Sequence, residues 1–373
     1  MFPGELETPA LILERAKLDR NLARMSGQVT HLGTRLRPHV KTSKSVDVVR
    51  RAVKPGEGGI TVSTLKEAEQ FFAAGYRDIL YAVGIAPNKL EHVTALRAQG
   101  CDLTIILDSV EAARAVADNS RVTGAAFPAL IEIDSDGHRA GVRPGDARLL
   151  DIGRLLGANL RGVMTHAGGS YDCKSVDEIR AMAERERAAV VHCAGALRGA
   201  GLPCTVVSVG SSPTATYAES FAGVTEVRAG VYMFFDLFMA GLSVCAVDDI
   251  ALSVLTSVIG HQPEKGWIIT DAGWMALSRD RGTAAQKIDQ GYGLVCDAQG
   301  RPIGGLIVAG ANQEHGIISA RDGGAVDGAR FPLGTLLRIL PNHACATAAQ
   351  HEGYHVVNEA SQIEARWPRF SGW

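Results

Sequence analysis

The chain has 373 residues, 46% hydrophobic and 21% charged, with a formal net charge of −2. This is the composition of a globular enzyme with room for one large domain and a smaller one, and its scattered basic residues give no ground for a polyanion partner. No apolar run approaches the roughly 20 residues that span a bilayer. The amino terminus lacks a signal peptide's basic start and apolar core, and seven dispersed cysteines without a CxxC pair suit reduced thiols. The expectation is a cytoplasmic protein with no nucleic-acid and no membrane partner.

From residue 35 to about 232, short β-rich runs alternate with longer helical ones. Strands are predicted at 36–41, 59–63, 79–83, 103–107, 129–134, 162–166, 205–209 and 226–229, with helical periodicity at 64–74, 89–98, 110–117 and 176–199. Ser109, Ser175 and Ser63 or Thr64 stand where N-caps belong, and Gly75 and Gly100 where helices stop. Eight strands alternating with helices over about 200 residues is the count of a (β/α)8 barrel. An open doubly wound sheet is the alternative, disfavoured because no GxGxxG follows the first strand. After about residue 240 the texture changes. Strands are expected at 250–260, 266–271, 291–296, 303–310, 333–340 and 355–357, without convincing helices. The domains so read are a barrel over 12–245 and a β-rich domain over 246–373 joined by 1–11.

Barrel enzymes place their chemistry at the C-terminal ends of strands. Along 36–41, alternation puts His39 and Lys41 on one face of the first strand, where an amine beside an imidazole suits a Schiff base. The competing view is a pair of ordinary solvated lysines, Lys41 and Lys44. Gly210-Ser211-Ser212-Pro213-Thr214 and Arg228-Ala229-Gly230-Val231 follow strands seven and eight, the usual place for a phosphate cradle. A reactive amine and a phosphate site in one barrel mouth are the two anchors pyridoxal 5′-phosphate requires. Arg139 is read either as a contact to that cofactor or as the partner of Asp134 or Asp136, and His166 either as a site residue or as a structural histidine.

In the β domain, Pro341-Asn342-His343-Ala344-Cys345 would put His343 and Cys345 on one side of a continuing strand. An imidazole with a thiolate favours zinc or another borderline metal, and two protein ligands leave open positions for water or substrate. His315, Asp271 and Asp280 are candidates to support such a site.

Taken together, PHVKTSK, THAGGSY, VGSSPT, EVRAGVYMFFD and PNHACAT resemble, in this order and across the chain, the D-serine dehydratase/D-threonine aldolase family. The resemblance implies an alanine-racemase-like fold: a (β/α)8 barrel binding pyridoxal phosphate plus a C-terminal antiparallel β domain. It implies that Lys41 holds the cofactor, and that His343 and Cys345 hold a divalent metal (Zn, Mn, Co or Mg). It further implies that Tyr171, Ser212, Gly230 and Val231 lie in cofactor-binding segments; Thr165, His166 and Arg139 are read as cofactor contacts beside them. Val231 stands where some relatives have asparagine, and Met164 where some have tyrosine. Aldolase members have an aspartate where this chain has Cys345, which points to dehydration.

The implied reaction removes water from a 3-hydroxy-D-amino acid, hydroxyaspartate foremost, to leave a keto acid and ammonia. Lys41 would act as base at Cα, and His39 and His315 are candidate substrate contacts. Arg279 and Arg281 are candidates for a distal carboxylate. The rivals are D-serine dehydration, retro-aldol cleavage and a non-catalytic pyridoxal-phosphate carrier. A homodimer is expected.

Overall fold

The computed structural model describes residues 2–373. It divides into two units, residues 1–22 with 231–370 and residues 23–230 with 371–373, residue 1 lying outside the described residues. The first strand, β1 (Ala10–Glu14), belongs to the former unit.

The second unit carries the predicted alternation. Its strands are β2 (Arg35–Pro38), β3 (Ile60–Val62), β4 (Asp78–Gly84), β5 (Asp102–Leu107), β6 (Ala129–Ile133), β7 (Leu160–Thr165), β8 (Val206–Val209) and β9 (Glu226–Ala229). All pair in parallel, in the order β2-β9-β8-β7-β6-β5-β4-β3. One parallel bridge, His39 to Thr61, closes the ring between β3 and β2, helped by the Val40 N–H donating to the Thr61 carbonyl at 2.9 Å. The predicted (β/α)8 barrel is therefore present. Leu80, Ile106, Leu130 and Met164 form one apolar cluster across β4 to β7.

The helices start where capping chemistry places them. Thr64, Ser109 and Ser175 each accept a backbone N–H of the first turn, from Glu67, Ala112 and Glu178, contributing about 1 kcal/mol apiece. The helix Val176–Gly199 turns Ile179, Ala183, Glu186, Val190, Cys193, Ala194 and Leu197 inward.

Charge reinforces the ring near its closing seam. Arg37 of β2 donates to Glu226 of β9 at 2.9 Å, to both oxygens of Asp78 of β4 at 2.9 Å, and to the Ile60 carbonyl of β3 at 3.2 Å. Arg35 and the Ser208 hydroxyl complete the Glu226 carboxylate at 2.8 and 2.9 Å. Burial raises the Glu226 pKa, but Arg37 and then Arg35 outweigh it and hold the group below its ordinary value.

The other unit is a nine-stranded sheet. After β1 it contains β10 (Leu252–Gln262), β11 (Trp267–Thr270), β12 (Leu294–Cys296), β13 (Pro302–Ala311), β14 (Gly316–Ala320), β15 (Leu336–Leu340), β16 (Gly353–Val357) and β17 (Ile363–Pro368). The order is β11-β14-β13-β12-β15-β10-β1-β16-β17, antiparallel except for the β1–β16 pair. Besides β1, two strands were not anticipated. β14 is a short run beginning at Gly316, and β17 alternates half-buried and exposed residues at the sheet edge, so neither shows an apolar face in sequence. Short helices absent from the sequence reading also occur, among them Leu237–Gly241, Trp274–Leu277 and Ala344–Ala348.

Candidate active site

Two strand boundaries change how the candidate residues meet. Strand β2 ends at Pro38, not at residue 41. After the His39 bridge the Val40 carbonyl accepts the Lys44 N–H (2.9 Å) and the Ser43 hydroxyl (3.3 Å), turning the chain back on itself. Lys41 thus stands exposed in that turn, and strand alternation is not what relates it to His39. Its charge nonetheless reaches two imidazoles. Burial, then Lys41 and Arg228, push His39 well below the ordinary histidine range. Burial likewise drives His166 down to about 3 against one stabilising backbone contact, with Lys41 and Arg228 again lowering it. Both rings are neutral at physiological pH.

The remaining barrel candidates occupy the ends of β6 to β9. The His166 Nδ1 lies 2.9 Å from the Gly210 carbonyl and therefore carries the proton, leaving Nε2 as an acceptor. Tyr171 ends the short turn Gly168–Tyr171, with its ring 6.0 Å from that of His166. Thr165 is buried and donates to the Ile133 carbonyl at 2.6 Å. Arg139 pairs with neither Asp134 nor Asp136. Its guanidinium, largely exposed, lies 3.6 Å from Glu132, and Arg143 approaches Asp134 instead. Ser212 opens the helix Ser212–Tyr217, which Ser211 caps in a reciprocal box with Thr214. The Thr214 hydroxyl is thereby engaged by Ser211, and it also meets the Glu186 carboxylate of the neighbouring helix. Gly210 has φ of +138°, and a Cβ there would fall 1.9 Å from the Arg228 carbonyl, so only glycine fits. Gly230 is confined less tightly, a Cβ there approaching the His39 carbonyl to 2.8 Å. Val231, buried, begins the turn Val231–Met233.

Sequence reasoning placed Arg228 in the run after strand eight but gave it no role of its own. This guanidinium is 3% exposed, donates to Ser208 Oγ at 2.6 Å and to the Thr165 carbonyl, and acts electrostatically on both histidines. The signal was available, because an arginine inside a fully buried strand is unusual unless it is paired or functional. Lys44 is engaged elsewhere, 3.2 Å from the buried Glu67 carboxylate.

These groups fit a phosphate-bearing aldehyde. The exposed Lys41 amine and the buried Arg228 guanidinium both act on the neutral imidazoles of His39 and His166, while Ser212 and the confined Gly210 and Gly230 follow β8 and β9. The buried His39 Nδ1 has no hydrogen-bond partner in the protein.

In the other unit, β15 stops at Leu340, and His343 and Cys345 do not lie on a strand. His343 is the N-cap of the helix Ala344–Ala348, and Cys345 is in its first turn. The buried Asp236 carboxylate fixes that start by accepting the Ala344 N–H at 2.9 Å. His343 and Cys345 still interact. Burial lowers the imidazole pKa, but the Cys345 charge and the Asp280 hydrogen bond raise it to about 11. Asp280 Oδ2 lies 2.7 Å from His343 Nδ1. Imidazole, thiol and an orienting carboxylate form a donor set suited to a borderline dication. Among the described residues, no group of three or more His, Cys, Asp or Glu converges as a complete metal site. Asp271 is taken up by Thr8, Thr256 and Ser257, and His315 is exposed between β13 and β14. Arg281 pairs with Asp289 at 2.7 Å, and Arg279 lies over the Trp274 ring.

Comparison with known proteins matches this two-part layout. The profile of the alanine racemase N-terminal domain matches residues 13–237, and that of a putative serine dehydratase domain matches residues 251–357. The chain is 58% identical to a D-threo-3-hydroxyaspartate dehydratase from Delftia sp. strain HT23, over 99% of this chain and 98% of the relative. The solved structure of that protein superposes with a TM-score of 0.98 at 57% identity, covering all of both chains. A cysteine-to-alanine mutant of it has been solved in what is described as the metal-free form. A D-serine dehydratase from Dictyostelium discoideum is 29% identical over 96% of this chain and 95% of its own length.

Proposed function

From a chain that belongs to the alanine-racemase-like family of pyridoxal-phosphate enzymes carrying a serine-dehydratase domain, we infer a dehydratase of 3-hydroxy-D-amino acids. It is a pyridoxal-phosphate-dependent lyase, and its proposed substrate is D-threo-3-hydroxyaspartate, converted to oxaloacetate and ammonia. The observation that carries this reading is 58% identity to an enzyme of that name across nearly the whole of both chains.

Pyridoxal phosphate, when bound, supplies an electron sink for charge developing at the substrate Cα. Lys41 would hold it, and the same amine, once released, would take the Cα proton. The buried glycines and Ser212 would receive the phosphate. His166 would offer an Nε2 acceptor, its proton being fixed on Nδ1 by the Gly210 carbonyl. Neutral His39 and His166 add no positive charge that would compete with Lys41 for an anionic group.

A divalent metal on His343 and Cys345, with Asp280 holding the imidazole, would supply a Lewis acid suited to a departing hydroxyl. The donor chemistry supports this, as does the description of the relative's cysteine mutant. The proposal includes a homodimer, on the family likeness. It also includes a cytoplasmic location, to which seven cysteines outside any disulfide are suited.

Product analysis tests the reaction. D-threo-3-hydroxyaspartate should yield oxaloacetate with ammonia, and D-serine and D-threonine should turn over more slowly. Glycine with glyoxylate would establish the aldolase instead, and no product from any of the three would leave a carrier. Sedimentation analysis should give the mass of two chains.

A further inference from the structure

The apolar stripe of the helix Val176–Gly199 is interrupted once. Ile179, Ala183, Val190, Cys193, Ala194 and Leu197 recur at helical spacing and are buried, and Glu186 sits among them, 2% exposed. A carboxylate placed in a core stripe is unfavourable unless its oxygens are bonded. Here the bonds all go to the turns that follow two neighbouring barrel strands. Oε1 accepts the Ala167 N–H, after β7, at 3.0 Å and the Gly210 N–H, after β8, at 3.0 Å. The carboxylate also bonds the Thr214 hydroxyl. A second link joins the same turns, because Ser170 Oγ and Ser211 Oγ lie 2.9 Å apart.

The two N–H groups engaged by Glu186 are not themselves donors to a ligand. They fix the backbone beside His166 on one turn and beside Ser211-Ser212 on the other. One oxygen shared by both turns sets their separation, which no contact within either turn can do.

We propose that Glu186 is a positioning residue for the phosphate of the cofactor, clamping the turns after β7 and β8 together from the helix packed against them. This rests on the pyridoxal-phosphate reading above. Loss of the clamp weakens whatever depends on the spacing of the two turns, and leaves the amine chemistry of Lys41 on β2's turn untouched.

The test compares wild type, Glu186→Ala and Glu186→Gln, each loaded with pyridoxal phosphate or with pyridoxal, which lacks the phosphate. Dissociation constants are read from the cofactor absorbance, and folding is checked by circular dichroism. Glu186→Ala should weaken pyridoxal phosphate at least about tenfold and pyridoxal less than about twofold, because two buried donors lose their acceptor. Glu186→Gln keeps an acceptor oxygen and should stay within about threefold of wild type. A folded Glu186→Ala protein that binds pyridoxal phosphate within about twofold of wild type, or loses both ligands equally, overturns the proposal. If Glu186→Ala does not fold, Glu186→Asp, whose carboxylate is withdrawn by one methylene, should show the same phosphate-selective loss, and equal loss of both ligands overturns the proposal. Wild type that binds no pyridoxal phosphate defeats the cofactor reading itself. Silent Glu186 variants beside a Lys41-dependent wild type defeat the clamp alone.

Discussion

Replacing Glu226 by glutamine removes one charge and changes little else in shape. The carboxylate receives Arg37 at 2.9 Å, Arg35 at 2.8 Å and the Ser208 hydroxyl at 2.9 Å. The Arg35 side chain is 59% exposed, so its share is screened to between zero and about 1 kcal/mol. Arg37 is 8% exposed, and its buried charge-assisted bond is worth roughly 1.5–3 kcal/mol, although its other nitrogens keep both Asp78 oxygens. Glutamine can turn its oxygen toward Arg37, but its amide nitrogen then faces Ser208, whose oxygen already accepts from Arg228 at 2.6 Å. The expected loss is about 3 kcal/mol at neutral pH, measured by equilibrium urea unfolding.

The pH dependence has a definite sign. The folded-state pKa of Glu226 is depressed, so its contribution is fully present above the unfolded value of about 4.3 and disappears as pH falls through the folded value. Wild type and Glu226→Gln should therefore converge in stability under acid. A loss below about 1 kcal/mol, or a difference that persists unchanged into acid, would refute the view that buried charge holds this seam.

Lys41→Ala should lose both the cofactor absorbance and turnover, whereas Lys44→Ala, whose lysine is tied to Glu67, should keep the band; the reverse result would reassign the Schiff base. Asp280→Asn should weaken metal binding about tenfold or more in a direct titration, through loss of the charge that orients His343, and unchanged affinity would remove Asp280 from the site. Treatment with a chelator should abolish turnover, and Zn²⁺, Mn²⁺ or Co²⁺ should restore it; full activity after chelation would rule out a metal role for His343 and Cys345.

The barrel was legible because parallel strands buried on both faces read as short apolar runs, and because Thr64, Ser109 and Ser175 cap in sequence as they do in space. The local geometry of the candidate residues was less so. Lys41 and His343 each follow a run that looks extended, and in both cases side-chain or turn hydrogen bonds redirect the backbone within three residues. Alternation cannot reveal a carbonyl that captures an N–H four positions ahead, as Val40 does with Lys44. Asp280 meets His343 only through tertiary folding, 63 residues apart in sequence. Glu186 was readable in principle, as one acidic residue at a core position of a periodic helix, but what it bonds was not.

Strand β1 lies between β10 and β16 in the finished sheet, with Ile12 opposite His355. Its five residues, Ala-Leu-Ile-Leu-Glu, leave the ribosome before the barrel, and both of their neighbours in the sheet come after it. Every residue of the barrel ring can thus be made, and can fold, while β1 still waits as an unpaired apolar edge. Contacts of such long sequence separation form slowly, so sheet completion rather than barrel formation should govern how fast newly made chains mature. The same waiting interval is when this enzyme is most exposed to aggregation, and expression at lowered temperature or with added holdase chaperone should raise the soluble yield.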